Sequence, residues 1–159
     1  MLLGVVSDSH GHVANTQAAL RMLASLEVEV VVHCGDIGSP NIPPLFAPWP
    51  THFVLGNVDD DPEQVKHAVA KNGSFHDRFA DLTLAGRRIA VVHSDDFKRF
   101  RQATDCGDYD LVCYGHTHVA EQHQEGATLV LNPGALFRAN PHSLAIVDLR
   151  TMEATIVHL

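Results

Sequence analysis

Three cysteines, two tyrosines and one tryptophan are few for 159 residues, and each shortage narrows the possibilities. Cys34, Cys106 and Cys113 are odd in number and none forms a Cys-x-x-Cys pair, so neither a disulfide framework nor a thiolate zinc site is indicated. A reducing compartment fits. No run approaches the ~20 apolar residues of a membrane helix, and the apolar opening, residues 2–6, is too short and lacks the basic flank of a signal peptide. These shortages lead to the expectation of a cytoplasmic protein with no membrane partner. Cations are also outnumbered: 11 Lys and Arg against 19 Asp and Glu give a formal net charge of -8, which argues against stable nucleic-acid binding. Small anionic substrates remain open, because bound metal ions make a cleft locally positive.

What the chain has in quantity is histidine, twelve in all, the commonest metal ligand. Its 45% hydrophobic and 19% charged residues suit a core of ordinary size, so residues 1–159 are read as a single domain.

Short runs rich in Val, Leu and Ile at 2–7, 28–34, 51–55, 88–93 and 110–114 read as buried strands. Helical spacing at 13–26 and 62–71 between the early runs predicts a parallel sheet covered by helices. The second half predicts hairpins: strands at 119–124, 128–132, 143–149 and 154–159 are separated by turn signals, and 82–84 faces 88–92 across Ala85-Gly86-Arg87. The Pro-rich stretch 40–50 reads as a rigid loop with room for a short helix. The expected fold class is α/β, two packed mixed sheets flanked by helices in a four-layer α/β/β/α sandwich.

Polar residues able to bind metal follow the strands. Asp8 and His10 come after the first, Asp36 after the second, Asn57 after the third, His93 at the end of the fourth, and His116 with His118 after the fifth. Ligands of α/β sheets gather beyond the carboxyl ends of strands, so five segments point to one rim. Residues two apart in an extended segment project to one side, which pairs Asp8 with His10 and His116 with His118. Gly35, Gly56 and Gly115 directly precede Asp36, Asn57 and His116, as a tight or left-handed turn requires. Two carboxylates, four imidazoles and an amide suit borderline cations such as manganese, nickel, iron, cobalt or zinc. Seven donors exceed one tetrahedral ion but serve two if a carboxylate bridges, and Asp36, central in the set, is the candidate bridge.

Asp8-x-His10, Gly35-Asp36, Gly56-Asn57, His93 and Gly115-His116-Thr117-His118, in that order, resemble the five motifs of the calcineurin-like metallophosphoesterase superfamily. Asn132-Pro133-Gly134-Ala135 resembles a segment of its short phosphodiesterase branch, which also includes the retromer scaffold subunit. The resemblance implies two divalent ions, with manganese favoured. It places Asp8, His10, Asp36 and His118 on the first and Asp36, Asn57, His93 and His116 on the second. It further implies a phosphodiesterase, rather than a phosphomonoesterase, in which a metal-bridging hydroxide attacks phosphorus in line; Asn57 also orients the phosphate. His12 and Arg138 are the further residues placed toward the small phosphate-ester substrate.

Two positions depart from the family pattern. Val58 follows Asn57 where many members carry the histidine proposed as general acid, leaving Asp59 and Asp95 as substitutes. Ser94 and Asp95 follow His93 where glycine is usual, adding bulk and charge beside the second metal. Singly, every motif has a plainer reading: a strand-end Asp or Asn is usually a turn former or helix cap, and His93 an ordinary core histidine. Arg87, Arg88, Lys98, Arg99 and Arg101 read as a hairpin tip and solvated helix face before a phosphate-binding patch. A non-catalytic metal-binding scaffold for protein partners is the alternative to catalysis. Homo-oligomers stay open, since pattern does not separate an exposed apolar patch from a core strand.

Overall fold

In the computed structural model residues 1–69 and 73–159 are described. Strand β1 (Leu2–Val6) leads into helix α1 (Val13–Ser25), then β2 (Val30–His33), a short 3-10 helix (Pro43–Phe46), β3 (Thr51–Phe53), α2 (Pro62–Ala68) and β4 (Ser74–Phe75). There follow β5 (Phe79–Leu84), β6 (Arg87–Val92), α3 (Phe97–Asp105), β7 (Leu111–Tyr114), β8 (Ala120–Glu125), β9 (Thr128–Pro133), β10 (Ser143–Asp148) and β11 (Glu153–His158). Residues 70 and 71 of the helix expected at 62–71 lie outside the described residues.

The strands form a six-stranded sheet, β11-β10-β1-β2-β3-β4, and a five-stranded sheet, β5-β6-β7-β9-β8. In the first, β1 to β4 run parallel, with β10 and β11 added antiparallel at one end. In the second, β6, β7 and β9 are parallel and flanked by antiparallel β5 and β8. The expected hairpin at 82–92 is present, its turn made by left-handed Ala85 and Gly86.

The alternation of strand residues builds the layers. Leu3, Val5, Val30 and Val32 face Ile89, Val91, Leu111, Cys113, Leu129 and Leu131 in the core between the sheets. Val6, Val31 and Phe53 point the other way, onto Ala19 and Leu23 of α1 and Val65 of α2. Ala90, Val92, Val112 and Val130 meet Ala103 of α3. The result is the four-layer α/β/β/α sandwich. Helix α1 lies close because Gly4 has no side chain: a Cβ there would stand 2.8 Å from Leu23 Cδ2. Helices α1, α2 and α3 begin at a side-chain cap, His12, Asp61 and Asp96, which satisfies a backbone N–H of the first turn.

Candidate metal centre

The strand-end residues converge through the backbone rather than through extended pairing. Asp8 (φ 55°), His10 (φ 44°), Asp36 (φ 53°), His116 (φ 80°) and His118 (φ 60°) are all left-handed. The expectation of two-residue alternation in an extended strand is therefore corrected. Left-handed backbone is uncommon for residues with a side chain and collects at functional sites, and here it curls each loop back over its strand end.

The glycines act mainly by absence. Gly56 and Gly115 do not have positive φ; instead a Cβ on Gly56 would fall on the Asp36 carboxylate, and one on Gly115 on the Ser7 hydroxyl. Gly35 is left-handed at φ 95°, and its Cβ would stand 2.7 Å from His93 Nδ1. Close approach of loops is thus their chief task.

Asp8, His10, Asp36 and His118 offer donor atoms that all lie within 4.8 Å of one another. His118 Nε2 is 3.1 Å from Asp8 Oδ1 and 3.2 Å from His10 Nε2, which is 3.6 Å from Asp36 Oδ2 and 3.9 Å from Asp8 Oδ1. Donors held about 2.1 Å from one ion stand about 3.0–4.2 Å apart, so these four separations fit a cation. His118 Nδ1 donates to the Arg138 carbonyl at 3.2 Å, so its Nε2 carries a lone pair aimed at His10. Asp8 Oδ1 is buried without a hydrogen-bond partner, a costly arrangement that a bound cation relieves.

A second group adjoins the first through Asp36. Its Oδ2 faces His10, whereas Oδ1 lies 3.1 Å from His93 Nε2 and accepts from the Val58 N–H at 3.1 Å. His93 Nδ1 donates to the Cys34 carbonyl at 2.7 Å, leaving a buried Nε2 lone pair with no aligned donor. The His116 ring stands 5.2 Å from that of His93. Asn57 is exposed on the turn after β3.

Burial pushes the Asp36 carboxyl up, but His93 close by and the Val58 N–H outweigh it and hold the group below its ordinary pKa. Burial likewise disfavours protonated His93, and the Asp36 and Asp8 carboxylates reverse this and raise it. At His10 burial prevails over the same carboxylates and lowers the pKa, with help from His118 and Arg138. A proton and a metal ion compete for such a carboxylate-facing imidazole, so the electrostatics that favour imidazolium also favour a cation.

Other side chains hold the loops. Buried Asp59 accepts from the N–H groups of Ile37 (3.2 Å), Gly38 (2.8 Å) and Gly56 (2.8 Å). Asn132 donates to Thr117 Oγ1 at 3.0 Å and to the Gly115 carbonyl at 3.4 Å. It is therefore a brace of the His116 loop at the end of β9 as well as the start of a turn. Arg78, which no motif or spacing singled out, reaches both Asp95 and the Gly56 carbonyl.

His12 caps α1 and stacks on Phe137 at 4.3 Å. Arg138 is exposed beside that ring, close enough for its charge to disfavour protonated His10. Arg87, Arg88, Arg99 and Arg101 pair with Asp110, Asp81, Asp96 and Asp105, as expected of a hairpin tip and solvated helix. No helix among the described residues is long and apolar enough to cross a membrane.

Comparison with known proteins gives this geometry a family. The chain is 28% identical over 138 residues to the phosphodiesterase MJ0936 of Methanocaldococcus jannaschii, covering 84% of this chain and 83% of that one. It is 28% identical over 162 residues to the probable metallophosphoesterase YsnB of Bacillus subtilis, covering 96% and 86%. A solved archaeal phosphodiesterase superposes with a TM-score of 0.92 at 26% identity, each chain covered in full. Zinc-bound Vps29 of Entamoeba histolytica shares the fold, with a TM-score of 0.69 at 18% identity over 99% of this chain and 91% of that one. Residues 1–152 match the model of the calcineurin-like phosphoesterase superfamily domain, and the chain belongs to that superfamily.

Proposed function

We propose that residues 1–159 form one two-metal phosphoesterase domain, a phosphodiesterase in preference to a phosphomonoesterase. The observation that carries this reading is Asp36, whose two carboxylate oxygens face different imidazoles, His10 on one side and His93 on the other. Asp8, His10, Asp36 and His118 would hold the first ion, and Asp36, Asn57, His93 and His116 the second. When bound, two divalent ions supply a nucleophile at neutral pH and Lewis acidity toward the phosphate oxygens, the chemistry of in-line ester hydrolysis. Mixed carboxylate and imidazole donors suit borderline cations, with manganese the first choice and nickel, iron, cobalt or zinc the alternatives. The relatives named as phosphodiesterases support the same reaction class.

The chain's own residues shape the rest. Asn57, exposed on its turn, orients the phosphate; Arg138, with its charge beside His10, and His12 near the opening of α1 lie toward the substrate. Protonation of the leaving group has no dedicated histidine, since Val58 follows Asn57. Asp59 is committed to three backbone N–H groups and Asp95 to Arg78. Esters whose leaving groups depart as weakly basic oxyanions are accordingly the preferred substrates.

That missing acid also favours the second reading, a metal-binding scaffold. Hydrolysis of an aryl phosphodiester and its monoester by metal-stripped protein, with manganese, nickel, zinc or magnesium restored, decides between them. Manganese-dependent diesterase activity that Asp36→Asn abolishes is expected; two bound ions with no cleavage of either ester would establish the scaffold instead.

A further inference from the structure

Ser94 and Asp95, the residues that depart from the family pattern after His93, each reach to another loop. Ser94 is left-handed at φ 48°, and its Oγ donates to the Gly115 carbonyl at 2.9 Å. Asp95 pairs with Nη2 of Arg78, whose Nη1 donates to the Gly56 carbonyl at 3.3 Å. Gly115 and Gly56 immediately precede His116 and Asn57. Two adjacent side chains therefore tie the His93 loop to the loops that carry the two other unshared donors of the second group.

The first group is tied differently. The Asp8 and His10 N–H groups donate to the carbonyls of Gly35 (3.0 Å) and Asp36 (2.9 Å), so the Asp8 and Asp36 loops are sewn together by backbone, and Asp8 Oδ2 accepts from the His116 N–H at 3.1 Å, which ties in the loop that carries His118. Asp59 adds a link from the Asp36 loop to Gly56 but none to His93 or His116. Among the described residues Arg78 alone spans the Gly56 and Asp95 loops with one guanidinium, a planar fork able to serve a carboxylate and a carbonyl together.

We infer that Arg78, Asp95 and Ser94 are positioning residues that assemble the second half of the metal centre, with the Arg78 to Asp95 pair as its main strut. This rests on the two-ion reading above. The side chains of Arg78 and Asp95 are 37% and 19% exposed, and a pair near solvent contributes little to global stability. Its effect is local: it fixes the spacing of Asn57 and His93, and outer residues of this kind alter metal affinity by about tenfold to a hundredfold.

The test is a manganese titration of metal-free wild type, Arg78→Ala, Asp95→Ala, Asp95→Asn and Arg78→Lys, followed by electron paramagnetic resonance and calorimetry. Wild type takes two ions, the second giving a spin-coupled spectrum. Arg78→Ala and Asp95→Ala each weaken the second ion by about tenfold to a hundredfold, leave the first unchanged and keep the metal-free Tm within about 3 °C of wild type. Combining Arg78→Ala with Asp95→Ala in one chain weakens the second ion no more than the worse single variant, because each partner acts through the other. Asp95→Asn and Arg78→Lys, which disturb packing least, move the second affinity in the same direction. Unchanged affinity for the second ion in these variants, or equal loss of both ions, overturns the strut. A wild type that takes only one ion overturns the two-metal reading itself, and the strut with it.

Discussion

His33, His93 and His118 are each held as one tautomer by a neighbouring oxygen. A carbonyl only accepts, so the Cys34 and Arg138 carbonyls place the proton of His93 and of His118 on Nδ1 and free Nε2 for the centre. His33 follows the same logic away from the loops. The single hydroxyl proton of Ser9 goes to the Ile37 carbonyl at 3.1 Å, so His33 Nε2–H donates to Ser9 Oγ at 2.9 Å. Its Nδ1 is buried and unpartnered between Phe46 and Phe53. Burial, with the neighbouring His93 next, lowers its pKa to about 3, against about 6.5 in the unfolded chain.

The sign follows from proton counting. Between those two values the unfolded chain binds a proton that the folded chain refuses, so stability falls as pH falls from about 6.5 toward about 3 and is level above that window. One such group contributes a slope of up to about 1.4 kcal/mol per pH unit. Denaturant titrations of metal-free His33→Asn from pH 7 down to pH 4 should show a slope shallower than wild type by roughly that amount; equal slopes would mean that His33 is protonated within the fold.

At the scale of elements, the strands and their order were legible because apolar runs of four or five residues alternate with turn residues. The order of the loops that carry the candidate donors was legible for the same reason, since Asp8, Asp36, Asn57, His93 and His116 each sit at or just beyond a strand end. The left-handed backbone of Asp8, His10, Asp36, His116 and His118 was not: nothing in Asp-x-His distinguishes an extended pair from a curl, because the choice is made by contacts between loops such as Phe137 N–H to the Asp8 carbonyl at 3.1 Å. Arg78 was invisible for a related reason, being brought to Asp95 by the pairing of β5 with β6 and to Gly56 by the bond from Leu55 N–H to the Asp77 carbonyl. The two-residue β4 was likewise too short to leave a periodic signal.

Gly56 shows how tightly those loops meet. A methyl group there would occupy the space of the Asp36 carboxylate and backbone nitrogen, and Asp36 is held by the Val58 N–H at its carboxylate and the His10 N–H at its carbonyl. Gly56→Ala should therefore displace Asp36, lower stability by about 1–3 kcal/mol and remove manganese binding and activity together. Thermal unfolding with a metal titration checks this; a variant that retains both ions would show that the loop relaxes freely.

Across the whole molecule the two C-terminal hairpins take different sheets, β8 with β9 completing one and β10 with β11 extending the other. The sequence showed two hairpins of similar length and alternation. Their allocation depends on the chain reversal at Gly134, whose added Cβ would meet the Ser143 hydroxyl, and on the bonds from Leu136 and Phe137 N–H to the carbonyls of Ser7 and Asp8. The same reversal lays residues 136–138 along the first ligand loop, which is how Arg138 comes to hold His118. An acidic chain of net charge -8 thereby gathers four imidazoles, of His10, His93, His116 and His118, and the buried carboxylates of Asp8 and Asp36 at one rim, where paired cations would supply the positive potential that an anionic ester needs.

Anomalous diffraction from manganese-loaded crystals tests the shared role of Asp36 most directly. Two manganese peaks about 3.5–4 Å apart, with Asp36 between them, Asp8, His10 and His118 about one, and Asn57, His93 and His116 about the other, are the result predicted. A single peak held by Asp8, His10, Asp36 and His118 alone would contradict the two-metal account.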